Sequence, residues 1–281
     1  MSQYVTKVRT SSGDLPIDYN ALANRPDLQN MFSNPNLLIN SDFRNPVNQR
    51  GQTSYSVSAW EYTIDRWRGK NVDVVVNANS ITITNNSSED GNFQQPLGTT
   101  LPSDNYIFSA KILKVTGSVY LYHRSGGTTL SAGVKTRTFT SSTSLGSVQF
   151  YLAAGASIEV EWAKLECGTI ATPFVPRLYA EDLALCQRYY EKRTVIFFPY
   201  NGKVPARYYI AVNGDSHRAT KHREPNLSFS QLTNYNNETV SATLDSSKTT
   251  HTKDYIRMIT LTSDCSECLL RSTIEFDAEI H

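Results

Sequence analysis

Ile158-Glu-Val-Glu-Trp-Ala-Lys-Leu-Glu-Cys-Gly-Thr-Ile-Ala-Thr-Pro-Phe-Val-Pro-Arg177, followed by Ala180-Glu-Asp-Leu-Ala-Leu-Cys-Gln-Arg-Tyr-Tyr-Glu-Lys192, switches between two kinds of hydrophobic periodicity. Ile158, Val160 and Trp162 alternate with Glu159 and Glu161, the period-two pattern of a half-buried strand. Pro173 and Pro176 then exclude their neighbourhood from a central strand, because proline has no N–H to give a sheet ladder. From Glu181 to Lys192 the period changes. Leu183, Leu185, Cys186, Tyr189 and Tyr190 form an approximate 3.6-residue stripe. Glu181 and Asp182 fall in the first turn, and Lys192 and Arg193 at the end, as the helix dipole favours. A strand, a proline-locked crossover and one short helix thus mark a seam between two β-rich regions.

Upstream of the seam, short alternating runs are separated by polar turns. Ser80-Ile-Thr-Ile-Thr84, Tyr106-Ile-Phe-Ser-Ala-Lys-Ile-Leu113, Ser118-Val-Tyr-Leu-Tyr-His123, Lys135-Thr-Arg-Thr-Phe-Thr140 and Ser147-Val-Gln-Phe-Tyr-Leu-Ala153 read as strands. With no long helix among them, they predict a sandwich or jelly roll. Downstream, Thr194–Phe198, Ala206–Val212, Asn226–Ser230, Thr239–Leu244 and Tyr255–Leu261 continue the pattern. In the last strand Ile274, Phe276, Ala278 and Ile280 face one way, and Glu275, Asp277 and Glu279 the other. Residues 1 to about 36 hold a strand candidate, Val5–Thr10, but too little apolar area to offset an ordering cost of about 1–2 kcal/mol per residue. The expected fold is all-β: an extended N-terminal attachment segment (1–36), a jelly-roll β-sandwich (37–177), and a linker helix leading into a second antiparallel β domain (178–281).

Composition narrows the function. Of 281 residues 19% are charged and the net charge is +1, which lacks the clustered basic excess of a nucleic-acid or anionic-membrane binder. No apolar run approaches the ~20 residues that span a bilayer, so no membrane insertion is expected. Met1-Ser-Gln-Tyr-Val-Thr-Lys has no hydrophobic signal core, so synthesis and folding in a cytoplasm are expected. Sixteen tyrosines among many Ser, Thr and Asn suit an adhesive surface, since each tyrosine offers a rigid ring and a hydroxyl. Four cysteines are too few for a disulfide scaffold. Cys265-Ser-Glu-Cys268 has metal or redox spacing, but Cys167 and Cys186 do not form the second close pair a zinc site needs. Free thiols near a turn are the simpler reading.

Candidate contact residues follow from aromatic and cationic positions. Trp67, in Asp65-Arg-Trp67, reads as a core anchor, with Asp65 and Arg66 as a structural pair near the surface; Trp60 is then the better exposed candidate for stacking on a sugar ring. Tyr120 and Tyr122 share one face of a strand that leads through His123 and Arg124 to Gly126-Gly127. They read either as a glycan platform or as half of a buried core; the core reading is favoured, and both are kept as candidate contacts with Arg124. His217-Arg-Ala-Thr-Lys-His222-Arg223 concentrates cations and imidazoles in one loop, and His217, Arg218 and His222 are candidates for gripping an anionic glycan or phosphate. Asn85-Asn-Ser-Ser-Glu-Asp-Gly-Asn92 is oxygen-rich enough for calcium, but matches no defined loop, and Asp-Gly reads as a hairpin turn. No cofactor and no metal site are otherwise expected. Glu159 and Glu161 lie about 7 Å apart, within the carboxylate spacing of glycosidases, yet alternate acids are ordinary on an outward strand face. No nucleophile elbow, P-loop or HExxH occurs.

Three stretches resemble the tail-fibre proteins of phages and prophages. They are Gln3–Pro26 with its Ile17-Asp-Tyr-Asn-Ala-Leu-Ala-Asn-Arg-Pro26; Asn36–Gln52 with Tyr62-Thr-Ile-Asp-Arg-Trp67; and the Glu161–Tyr190 seam. With Phe93-Gln-Gln-Pro-Leu97 and Tyr106–Ile112, the middle region resembles the carbohydrate-binding-module-like jelly rolls on such fibres. The likeness covers most of 1–192 and ends beyond Lys192. It implies a virion tail component, a homotrimer, partnership with other tail or baseplate proteins, and attachment to a host cell-surface polysaccharide without catalysis. The rival readings are a structural tail or baseplate scaffold with no receptor, and a polysaccharide depolymerase.

Overall fold

A computed structural model describes residues 7–10, 13–16, 33–123, 126–141, 145–200, 206–209, 226–229, 232–233, 239, 242–244, 250–251, 256–258, 260–263 and 270–279. The chain opens with a hairpin of β1 (Lys7–Thr10) and β2 (Gly13–Pro16). Twelve strands then build the sandwich: β3 (Ser54–Val57), β4 (Glu61–Tyr62), β5 (Arg68–Lys70), β6 (Val72–Val76), β7 (Ile81–Thr84), β8 (Gly91–Leu101), β9 (Asn105–Thr116), β10 (Val119–His123), β11 (Gly126–Thr129), β12 (Gly133–Thr140), β13 (Leu145–Leu152) and β14 (Ser157–Cys167). Among the described residues one helix, α1 (Tyr179–Cys186), leads to β15 (Tyr190–Tyr200), β16 (Ala206–Tyr209), β17 (Asn226–Phe229), β18 (Ala242–Leu244), β19 (Thr250–His251), β20 (Ile256–Met258), β21 (Thr260–Ser263) and β22 (Leu270–Asp277).

The sandwich has two six-stranded antiparallel sheets. Sheet I runs β11-β10-β13-β8-β5-β4 and sheet II β12-β9-β14-β7-β6-β3. Successive strands β7, β8, β9 and β10 alternate between the sheets, as in a jelly roll. The mostly-β fold expected from the alternating runs is therefore observed.

Aromatic rings fill the space between the sheets. Trp67 has no exposed surface, stacks on Phe93 at 5.1 Å and meets Phe43 edge-on at 5.2 Å. Its indole Nε1 donates to the Asn40 carbonyl at 2.8 Å, so its one polar atom is satisfied. Phe108 and Phe150 complete the centre. Trp67 is thus a core anchor, as its sequence position suggests.

Strand β14 departs from its simple alternation. Val160 pairs with Ile112 and Trp162 with Lys111, so Glu161 is an extra residue opposite a single step of β9. This β-bulge reverses the phase of the strand. Ile158 and Val160 point into the core, but Trp162 points out and stacks on Phe174 at 4.7 Å. Ala163 and Leu165 then become the inward residues, while Lys164 and Glu166 face outward.

The crossover after β14 folds back as a strap over that outward face. Lys164 Nζ donates to Thr172 Oγ1 at 2.6 Å, to the Pro173 carbonyl at 3.0 Å and to Ser33 Oγ at 3.1 Å. It also sits 3.1 Å from Glu166, whose carboxylate accepts from Thr172 N and Oγ1. Both charged side chains are almost wholly buried, at 1% and 0% exposure. Ser33 and Asn34 are tied to the strap by Ser33 Oγ to Pro173 O (2.7 Å) and Asn34 N to Thr172 Oγ1 (2.9 Å).

The helix is shorter than the 181–192 stripe suggests. It ends at Cys186, and Tyr190 opens β15, which pairs antiparallel with β22 from Tyr190↔Asp277 to Phe197↔Leu270. The aromatic and β-branched run Thr194-Val-Ile-Phe-Phe198 favours a strand, and the sheet captures the residues just before it. The C-terminal strands form the order β17-β22-β15-β16-β21-β18, with β19 paired to β20. Ile274, Phe276 and Ala278 are buried, as the alternation predicts. Glu279 is not on the outward side: it is fully buried beyond the end of β22, against Arg66.

Candidate functional site

The residues on the outer face of sheet I follow from strand phase. On β10, Val119 and Leu121 are buried in the core, so Tyr120 and Tyr122 point outward. The core reading of this pair is therefore corrected: an inward Val/Leu pair already fills the sandwich there. On β13, Val148 and Phe150 point inward, which turns Gln149 and Tyr151 outward. Antiparallel register sets Tyr120 opposite Tyr151 and Tyr122 opposite Gln149; it sets Gln149 opposite Gln94 of β8, Gln94 opposite Arg68 of β5, and Arg68 opposite Tyr62 of β4. Directly opposed residues share a face. The result is a cross-strand row of tyrosines, amides and one guanidinium, spanning about 19 Å at ~4.8 Å per strand.

Specific contacts hold the row. Tyr151 lies 5.9 Å from Tyr120 at 60° and 5.7 Å from Tyr122 at 31°. Its hydroxyl is pushed up to about 12 by its hydrogen bond with the Asp90 carboxylate, with burial next, so it stays protonated. Gly127 opposes Tyr122, and a Cβ there would lie 2.9 Å from the Tyr120 Cβ; glycine keeps this end flat. The buried Gln94 amide fits with its oxygen toward Arg68, accepting from Nε and Nη2 at 2.8 Å each, and its nitrogen donating to Gln149 Oε1 at 3.1 Å. Arg68 in turn lies over the ring of Trp60 at 5.0 Å, and Trp60 is 39% exposed. Gln94 thus fixes both neighbours from beneath, and Arg68 braces the exposed indole.

The structure brings Trp60, Tyr120 and Tyr122 onto one face. Arg124, His217, Arg218 and His222 lie outside the described residues, as do Cys265 and Cys268. Arg68, Gln94, Gln149 and Tyr151 were not singled out from sequence. Their signal was strand phase: each alternates with a core residue or faces one that does.

The remaining candidates are placed elsewhere. Glu159 accepts from Ser80 Oγ at 2.6 Å, and Glu161 sits 3.9 Å from Arg44, both on the strapped side of β14. The turn at 85–90 is closed by its own side chains: Asn85 Nδ2 donates to the Glu89 and Leu152 carbonyls, and Ser87 N donates to Asn85 Oδ1. Among the described residues, no three His, Cys, Asp or Glu side chains gather as metal ligands. No described helix is long and apolar enough to cross a membrane.

Asp65 and Arg66 are not a surface pair. Both are fully buried, and each has other partners. Asp65 accepts from Gln49 Nε2 at 2.7 Å and lies 3.3 Å from Arg50 Nη1. Burial pushes the Asp65 carboxyl up to about 7, against the charge of Arg50 and the Gln49 hydrogen bond. Arg66 reaches Glu279 and the Pro96 carbonyl, with its guanidinium 3.5 Å from the Tyr189 ring centre. Gly98, at φ 77°, has no room for a Cβ beside the Tyr189 hydroxyl. This cluster fastens the sandwich to the helix end and the last strand.

No family model and no curated protein matches the chain, so the tail-fibre likeness of its three motifs has no counterpart there. Among solved structures, 45% of the chain is similar to the whole of a mutant family 29 carbohydrate-binding module, studied for ligand recognition, at 10% identity and a TM-score of 0.30. Another similar chain is a deletion mutant of Bacillus subtilis oxalate decarboxylase, at 10% identity and a TM-score of 0.11, covering 98% of this chain and 88% of that one. At these scores neither likeness carries an argument about ligand or activity.

Proposed function

We propose that this protein binds carbohydrate through the outer face of sheet I, and that it serves as a tail-fibre or receptor-binding subunit attaching a phage or prophage particle to a host cell-surface polysaccharide. The observation that carries the binding reading is the row Trp60–Arg68–Gln94–Gln149–Tyr122, with Tyr120 and Tyr151 beside it. Sugar rings present apolar C–H faces and equatorial hydroxyls. Flat aromatic rings take the first, and amides and a guanidinium take the second. Gln94 holds its neighbours in place before any ligand arrives, which lowers the ordering cost of binding. This reading is of binding without turnover, as the motif likeness implies.

The tail-fibre setting rests on the motif likeness. It would make the protein a homotrimer in the virion, produced in the bacterial cytoplasm and joined to other tail or baseplate proteins. Repeated weak sites then gain avidity of roughly 10²–10⁴ without new contacts.

The test is binding of the full-length protein to a panel of bacterial surface polysaccharides, alongside Trp60→Ala. The expected outcome is retention of the wild type by at least one polysaccharide and loss of most of that affinity in the variant, about 2 kcal/mol for an aromatic anchor. Equal binding by both would overturn the site; no binding by wild type to any susceptible host would overturn the function.

A further inference from the structure

At the edge where β3 and β4 leave the sandwich open, the C-terminal sheet closes a groove of ≈ 310 Å³. That lies at the lower end of small-ligand sites, roughly 300–1,000 Å³. The half-buried Tyr62 supplies ring surface, the buried Tyr55 and Tyr190 form the floor, and the exposed side chains of Gln52, Ser56 and Glu61 form its rim. Arg50 crosses it, 3.9 Å from the Tyr190 ring centre and 5.5 Å from that of Tyr62. Tyr62 belongs both to this groove and to the cross-strand row of sheet I, and Trp60 stands two residues before it.

We infer that the groove is a second saccharide subsite, continuous with the outer face, and that the ligand is an uncharged polysaccharide chain that crosses sheet I and bends over β4 into the groove. This deepens the carbohydrate-binding reading and rests on it. Continuity comes from Tyr62. The ligand class comes from charge. Arg50 is already 3.3 Å from Asp65, and Lys192 is 3.1 Å from Glu275. Against these two cations the groove sets Glu61, Glu275 and Asp277. No positive excess remains to draw in a uronate or phosphate chain, whereas carboxylates and amides accept hydrogen bonds from sugar hydroxyls. A chain that occupies two linked subsites gains over one that fills only the outer face.

The experiment measures affinity of the full-length protein for a neutral bacterial polysaccharide, for a short oligosaccharide cut from it, and for a uronate polymer. It compares wild type, Ser56→Phe (which fills the groove from an exposed position), Gln52→Ala and Trp60→Ala, with thermal midpoints to confirm folding. The inference expects Ser56→Phe to weaken the long chain about tenfold and leave the short one unchanged. Gln52→Ala should do the same to a smaller degree, Trp60→Ala should weaken both, and the uronate polymer should not bind. Groove variants that bind the long chain like wild type, while Trp60→Ala still fails, overturn the second subsite alone. Preferential binding of the uronate polymer overturns the ligand class. Loss of no binding in Trp60→Ala overturns the underlying site, and this inference with it.

Discussion

The two outer faces of the sandwich have opposite fates. Sheet II turns Trp162, Lys164 and Glu166 outward, and the chain covers them with its own crossover and with Ser33 and Asn34. Sheet I turns Trp60, Tyr122, Gln149 and Tyr151 outward, with Trp60 exposed and the other three half-buried. Both faces carry aromatic and polar residues, so composition does not separate them. What separates them is whether the polar groups are consumed internally. Lys164 spends its donors on the strap and on Glu166, whereas on sheet I the buried Gln94 amide braces Arg68 and Gln149, which stay half-buried.

Breaking the covered face should have the largest effect. Lys164→Ala leaves Glu166 as a buried charge with one fewer partner, and loss of one member of such a pair costs about 3–5 kcal/mol. Chemical denaturation should show that loss, with Lys164→Met/Glu166→Leu recovering much of it. Sugar binding per folded molecule should not change, because the strap and the row are on opposite sides. A stability change below about 1 kcal/mol would mean that the strap does not depend on the pair.

The junction that joins the sandwich to the last strand has a pH signature. The folded carboxyl of Asp65, at about 7, lies above its ordinary value of 3.8. The fold therefore holds an extra proton between those values. The stability it contributes is complete below about pH 4 and lost as pH rises through about 7, and amounts to up to ~4 kcal/mol. Denaturation midpoints from pH 4.5 to 8 should fall with rising pH in wild type and fall less in Asp65→Asn. Parallel profiles would remove Asp65 from the account.

On the outer face of sheet I, Tyr122→Ala should cost about 1–2 kcal/mol of sugar affinity and leave stability within about 0.5 kcal/mol, as is usual for a surface position. A variant destabilised by about 2 kcal/mol or more whose folded fraction binds normally would assign Tyr122 to packing instead.

Much of the architecture was legible because alternation reports phase. Ile158, Val160, Ile274 and Phe276 all occupy the inward positions that period-two reading gives them. The bulge at Glu161 was not legible, since one extra residue leaves the local pattern intact while reversing everything after it. Nor was the burial of Lys164, Glu166, Asp65 and Arg66, because each is covered by segments far away in sequence. For the site, Trp60 and Tyr122 were visible as residue types. Their partners Arg68, Gln94 and Gln149 were not, because sheet order rather than sequence order makes them neighbours. Strand phase says which way a side chain points; only pairing says beside whom.

The most direct measurement is hydroxyl-radical footprinting of the full-length protein with and without a bound polysaccharide, read at the aromatic residues of both faces. Protection of Trp60, Tyr120, Tyr122 and Tyr151 is expected, with Trp162 and Phe174 unchanged. Protection at Trp162 and Phe174, with the sheet I tyrosines reacting as in the free protein, would contradict it.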